Sequence, residues 1–236
     1  MFDVIVLGAT FAAAGIAQSY KKNCLVLERR VKAGYEFFGA LNFGKAYEQS
    51  LACEEAAQLR KTLTESGLYG GDRHIYPYFR NTNILFQTDV VRVEQREDHF
   101  VCHTHGIDGF SSFAAKAIID TRCWDALCAC KTYNLLIESP TTPVFSGAVT
   151  EKAPGKDRYI LRCAVPTSCG YPEARQRAFQ IMEKFSKEQR LILSADEFDY
   201  GIKETYPKTK NGIFLLPSKA FENPALAFEA GSEVSI

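Results

Sequence analysis

The sequence predicts an α/β fold built on a parallel sheet, and three observations near its start carry that reading. Residues 3–7 (DVIVL) are an almost unbroken apolar run, which suits a strand buried on both faces. Residues 24–27 (CLVL) form a second such run. A helical segment from about Thr10 to Tyr20 fits between them, so strand, turn, helix and strand follow within 28 residues.

After a stretch punctuated by Gly34, Gly39 and Gly44, Ala52, Ala56, Leu59 and Leu63 recur at helical spacing, and Ser66-Gly67 supplies a stop. This second helix is expected to cover the sheet. Short strands then follow at 84–86, 90–93, 100–103 and 115–120, with Gly106, Asp108 and Gly109 as turn residues. They predict an antiparallel meander that returns into a final sheet strand.

From about Lys131 to Lys210 the texture changes. Pro140, Pro143, Pro154, Pro166 and Pro172 separate short apolar pieces, which reads as an inserted region. Pro172 is placed to start a helix whose apolar stripe is Ala178, Ile181, Met182 and Phe185, a packing surface rather than a ligand box.

Lys plus Arg and Asp plus Glu both total 28, so no net field recruits nucleic acid or an anionic membrane. The apolar start lacks a preceding basic segment and is interrupted by Gly8 and Thr10, unlike a signal peptide. No run of about 18 apolar residues suggests a membrane span. The eight cysteines are scattered, which favours reduced thiols and a cytoplasmic location. Cys123, Cys128 and Cys130 lack paired CxxC spacing, and His103 and His105 have no evident fourth partner, so no metal site is expected.

The chemistry lies in Gly8-Ala9-Thr10-Phe11-Ala12-Ala13, which opens the first helix. A dinucleotide fingerprint, G-x-G-x-x-G/A, needs a glycine for the turn, a second so backbone can approach the pyrophosphate, and a small third residue for helix packing. Gly8 and Ala13 satisfy the first and third requirements, while Thr10 puts a β-branched side chain at the second. Glu28, twenty residues after Gly8, ends the next strand where an acid accepts the ribose hydroxyls. It also disfavours a 2'-phosphate, so FAD or NAD is preferred over NADP. Arg29 and Arg30 follow, placed to stack on adenine, to reach a phosphate or simply to be solvated. The same residues also allow a strand–turn–helix with a merely structural glycine and an exposed Glu28.

FDVIVLGATFAAAGIA followed by VLERR resembles the N-terminus of FAD-dependent oxidoreductases with a two-dinucleotide-binding-domain, Rossmann-like fold. ILFQTDVVRVE and AAKAIIDTRC resemble that family's meander. The resemblance implies a backbone contact of Val90 with adenine and a closing turn at Asp120-Thr121, with Arg122 or Cys123 where the family has glycine. NGIFLLPSKAFENPALAFEAG resembles the family's closing unit, with Pro217-Ser218 where Gly-Asp is usual and Asn223-Pro224 opening the last helix. The family's chain also runs along the pyrophosphate and flavin after the ribose-binding acid, which implies a role for residues 33–44, including Gly39. There, Tyr35, Phe37, Phe38 and Phe43 are placed either to wall an isoalloxazine or to pack as a hydrophobic loop.

The resemblance therefore implies an FAD-binding domain over 1–128 and 211–236 and an inserted substrate or cap region over 129–210. It implies hydride transfer between a small-molecule substrate and a non-covalently held flavin. Arg162, Arg175 and Tyr200 are candidates to orient an acidic substrate, and Cys163 or Cys169 to act as a thiol, each with structural or surface roles as the alternative. No catalytic residue is assigned, and oligomeric state is left open. Two other functions fit the residues: an enzyme binding NAD or an ADP-ribose adduct, as in thiazole synthases, and a scaffold that lost its cofactor and acts by binding a partner.

Overall fold

In the computed structural model, which describes residues 1–235, β1 (Phe2–Leu7) and β2 (Cys24–Leu27) run parallel, with Val4 opposite Cys24 and Leu7 opposite Leu27. Helix α1 (Phe11–Tyr20) connects them. The apolar runs are continuous because each face meets a different core. Val4, Val6, Cys24 and Val26 enter the cluster on the helix side, whereas Ile5, Leu7, Leu25 and Leu27 enter a second cluster on the opposite face.

Helix α2 (Glu54–Glu65) buries Ala56, Leu59 and Leu63 and stops before Gly67, while Ala52 lies just ahead of its first turn. β3 (Asn83–Leu85) pairs in parallel with β2. This corrects the expectation for 84–86, which the sequence reading had placed in the antiparallel meander; a short apolar run specifies a strand without specifying its partner.

The meander consists of β4 (Asp89–Gln95), β5 (Phe100–Gly106) and the first half of β6 (Gly109–Asp120). It covers the Ile5 and Leu25 face with Phe100, Cys102, Val90 and Val93. The second half of β6 then runs parallel to β1, with Leu7 opposite Asp120.

A second, wholly antiparallel sheet follows. It contains β7 (Cys128–Glu138), β8 (Ala148–Lys152), β9 (Arg158–Val165), β10 (Arg190–Ser194) and β11 (Asp199–Ile202). α3 (Tyr171–Met182) interrupts these strands, with Pro172 in its first turn and Ala174, Ala178 and Ile181 buried. The helix-side core continues without a break into this sheet through Tyr133, Leu135 and Leu161.

The chain rejoins the first sheet at β12 (Lys208–Lys210) and β13 (Ile213–Leu215), the latter parallel to β6. The parallel order is thus β3-β2-β1-β6-β13, the expected Rossmann-like arrangement with meander and added sheet. Helix α4 (Pro224–Ser232) closes the chain against α1. Their backbones touch: a methyl group on Gly15 would lie 2.0 Å from the Phe228 carbonyl oxygen, and one on Gly231 would lie 2.0 Å from that of Ala12. Among the described residues, no helix is long and apolar enough to cross a membrane.

Candidate functional site

The carboxyl ends of β1, β2 and β6 converge, the place where an open parallel sheet leaves a crevice. Gly8 turns there with φ +94°, and its N–H donates to the Leu27 carbonyl at 2.8 Å. Arg122 lies directly over it, so close that a methyl group on Gly8 would sit 2.6 Å from the Arg122 Cγ. Asp120 is buried and holds the Arg122 guanidinium bidentately, at 2.9 and 2.8 Å. Burial alone would lower the Arg122 pKa; the Asp120 carboxylate reverses this and raises it. The guanidinium also sits 5.8 Å from the Trp124 ring centroid.

Thr10 has extended backbone and caps α1. Its hydroxyl accepts from the Ala13 N–H at 3.1 Å and donates to Thr121 Oγ1 at 2.8 Å. Thr121 in turn donates to the Leu7 and Gly8 carbonyls. Thr10, whose side chain stands where the fingerprint has its second glycine, is an N-cap that also ties α1 to the end of β6.

Glu28 is buried, contrary to an exposed structural role. Its two oxygens accept from the Ala9 and Arg30 N–H groups, each at 2.8 Å. The Arg30 guanidinium bridges Glu28 and Glu197, and the half-exposed Arg29 reaches Glu197 at 3.7 Å.

Glu36 was not singled out by the sequence reading. It projects from a single π-helical turn over Tyr35–Gly39, and its Oε1 accepts from the Phe11 N–H at 2.8 Å and from the Ser218 hydroxyl at 2.9 Å. Burial raises its carboxyl above the usual range, the neighbouring Glu28 charge adds to this, and the hydrogen bonds from Phe11 and Ser218 oppose it. The Ala12 N–H leans on Ser218 Oγ at 3.4 Å. The N–H groups of Ala9, Phe11, Ala12 and Ala13 are thus all engaged by side chains of the protein.

These residues border a cavity of about 480 Å³ between the two sheets, lined by Thr10, Glu28, Arg29, Arg30, Tyr35, Glu36, residues 122–126, Glu197, Phe198 and Tyr200. Of the fingerprint residues only Thr10 lines it; Gly8 and Ala9 form the turn before Thr10, and Phe11, Ala12 and Ala13 are fully buried in α1.

A second cavity of about 440 Å³ lies on the other side of Tyr200, which lines both. At its wall the buried Asp199 carboxylate accepts from Asn42 at 2.9 Å, from Lys219 at 2.9 Å and from Arg162, which also pairs with Glu151 at 2.8 Å. Burial alone would raise the Asp199 carboxyl; Lys219, Arg162 and Asn42 outweigh it and hold the group below its ordinary value.

Other expected residues lie elsewhere. Val90, on β4, pairs with Thr104 and packs in the meander core, away from both cavities. Asn223 caps α4 through the Ala225 and Leu226 N–H groups and donates to the Lys45 and Ala46 carbonyls, so its polar atoms serve the helix end. Gly39 is buried, and its carbonyl accepts the Asp196 and Glu197 N–H groups, which positions Glu197. Phe37, Phe38 and Phe43 pack with Phe11 and Tyr69 in the core, leaving only Tyr35 of that aromatic set at the cavity.

Arg175 stacks on Phe179 along α3, while Arg162 and Tyr200 do reach the second cavity. Burial pushes the Cys163 thiol to about 11 and also raises Cys169, so neither is a ready thiolate. Among the described residues no group of three or more His, Cys, Asp or Glu side chains is placed to hold a metal ion.

Signals for the unexpected residues were faint. Glu36 is a lone acid among the aromatics of AGYEFFGALN, and Lys219 directly follows Ser218.

No family model and no curated protein matches the chain. Solved structures do. The p-nitrophenol 4-monooxygenase PnpA from Pseudomonas putida superposes with a TM-score of 0.60 at 13% identity, over 98% of this chain and 76% of PnpA. A flavoprotein/dehydrogenase from Cytophaga hutchinsonii gives 0.59 at 16% identity, with the same two coverages. BexE, linked to oxidation during BE-7585A biosynthesis, gives 0.61 at 12% identity, and the chain spans 60% of its length. At these identities the likeness is one of fold: the chain has the Rossmann-like FAD-binding fold of these proteins.

Proposed function

We propose that this chain is an FAD-binding oxidoreductase that transfers hydride between a small-molecule substrate and flavin. The observation that carries the reading is Glu28, a buried carboxylate at the end of β2 that borders the first cavity, where an acid accepts ribose hydroxyls. The fold shared with a monooxygenase and a flavoprotein/dehydrogenase over 98% of the chain supports it.

The ribose end of the site fits the group, and an acid there favours FAD or NAD over NADP. Thr10 and the start of α1 would face the pyrophosphate, and Ser218 would lie at the ribityl side. At the phosphate end the fit fails as the side chains stand, because Glu36 occupies the start of α1. When bound, flavin would supply the two-electron chemistry. The protein's own contribution would lie in the second cavity, where Arg162 and Lys219 present cations balanced by Asp199, a setting for orienting a polar substrate. Eight free cysteines support a reducing, cytoplasmic setting.

The test is an absorbance spectrum of the purified protein, with thermal melts in FAD, NAD and ADP. Flavin bands, or a melting temperature raised by FAD, are expected, since a ligand that binds only the folded state stabilises it. A colourless protein that none of the three stabilises would point instead to a scaffold without a cofactor, a reading that the fully engaged N–H groups of α1 also favour.

A further inference from the structure

We propose that Glu36 is an internal anion occupying the phosphate seat of the first cavity, so that the chain holds a dinucleotide's phosphates more tightly when Glu36 is neutral. This rests on the dinucleotide reading above and names the residue that sets its affinity. The start of a helix attracts negative charge through its free N–H groups and dipole. In this ten-residue helix the charge is already supplied from within, since Glu36 Oε1 takes the Phe11 N–H and the Ser218 hydroxyl.

The surroundings make the carboxylate costly to share. Glu36 is only 8% exposed, so bulk water and salt screen it weakly. From the end of β2 it faces Glu28, a like charge, and Arg30, whose guanidinium is committed to Glu28 and Glu197. From the end of β6 it faces Cys123, a neutral thiol. From the segment after β13 it meets the Ser218 hydroxyl, while the neighbouring Lys219 is engaged by Asp199 and the Phe37 ring. No cation among the described residues forms an ion pair with Glu36. Four carboxylates and three arginines line this cavity, but at the start of α1 it is Glu36, with Glu28 beside it, that a phosphate meets, and removing the Glu36 charge there relieves the repulsion. Protonated Glu36 also gains a hydrogen it can donate to a phosphate oxygen. The carboxylate is carried on a π-turn, a rare backbone form that concentrates at functional sites.

The single tryptophan, Trp124, lines the same cavity and reports on its occupancy. Fluorescence titrations with ADP, on the full chain and on Glu36→Gln, decide the matter. At about pH 8 the variant is expected to bind ADP about tenfold more tightly than the natural protein. That gap should narrow as pH falls, as a carboxyl raised by burial gains its proton above the usual carboxylate range. Adenosine, which has no phosphate, should bind both proteins equally. Ser218→Ala removes a donor to the carboxylate and should move the gain in ADP affinity to higher pH, providing a second route if Glu36→Gln folds poorly.

Equal ADP affinity of the natural protein and Glu36→Gln at about pH 8, or an unmoved pH dependence in Ser218→Ala, overturns the role of Glu36. If neither ADP nor adenosine binds any of the proteins at any pH, the dinucleotide reading itself fails, and the role of Glu36 with it.

Discussion

The Thr10 hydroxyl donates to Thr121 Oγ1 across 2.8 Å, joining two residues that are 111 positions apart in sequence. The bond pins the first turn of α1 to the end of β6, and Thr10 simultaneously satisfies the Ala13 N–H as the helix cap. Thr10→Val keeps the shape and removes both bonds. It is expected to lower unfolding free energy by about 1–2 kcal/mol in a urea titration, while Thr10→Ser stays near the natural protein. A Val variant as stable as the natural protein would show that the cap does not contribute.

Glu28 carries two roles that its sequence position alone did not separate. It borders the cavity and is also the acceptor for the buried Ala9 N–H. Glu28→Ala is therefore expected to lose about 1–3 kcal/mol of stability, from a donor left unsatisfied, alongside weaker ADP binding. Thermal melts and calorimetric titration on the same preparation check the two effects separately.

Asp199 couples the two halves of the second cavity wall through Lys219 and Arg162. Its carboxyl lies below its ordinary value of 3.8, so the stability it confers is present above that value and is lost as pH falls through the depressed one. Asp199→Asn leaves two cations short of their partner and should cost about 3–5 kcal/mol near neutral pH. The difference between the two proteins should narrow as pH falls below 3.8 and through the depressed value, where the natural carboxyl also becomes neutral. Denaturation midpoints across that range measure it, and a gap that stays constant would refute the assignment.

Gly15 and Gly231 let α1 and α4 meet backbone to backbone. Alanine at either position would place a methyl group 2.0 Å from a carbonyl oxygen, a contact that no rotamer change relieves. Each substitution is expected to cost about 3 kcal/mol or more, the upper end for overpacking, although alanine is the better intrinsic helix former. A gain in stability from Gly15→Ala would mean that the helices separate readily.

The strand–turn–helix–strand at the start was legible because its signals are local. A strand buried on both faces must be apolar throughout, and DVIVL and CLVL are. The same holds for α2, for α3 behind Pro172 and for α4 behind Asn223-Pro224, where period, cap and breaker lie within one segment. Glu28 was found by its spacing from Gly8, which the length of the intervening helix fixes.

What the sequence determined by itself, then, is which faces are buried and where the parallel strands end. The tertiary structure decided which distant groups meet there. It paired β3 with β2 rather than with the meander, buried three phenylalanines that the sequence left equally placed to wall a ligand, and brought Asp199 to Lys219. It also set Glu36 on the Phe11 N–H, 25 residues away, and on Ser218, 182 residues away. The physical reason is that periodicity records only whether a side chain faces water or core. A buried N–H or carboxylate takes whichever partner the folded loops deliver, and that delivery is written in no single stretch of chain.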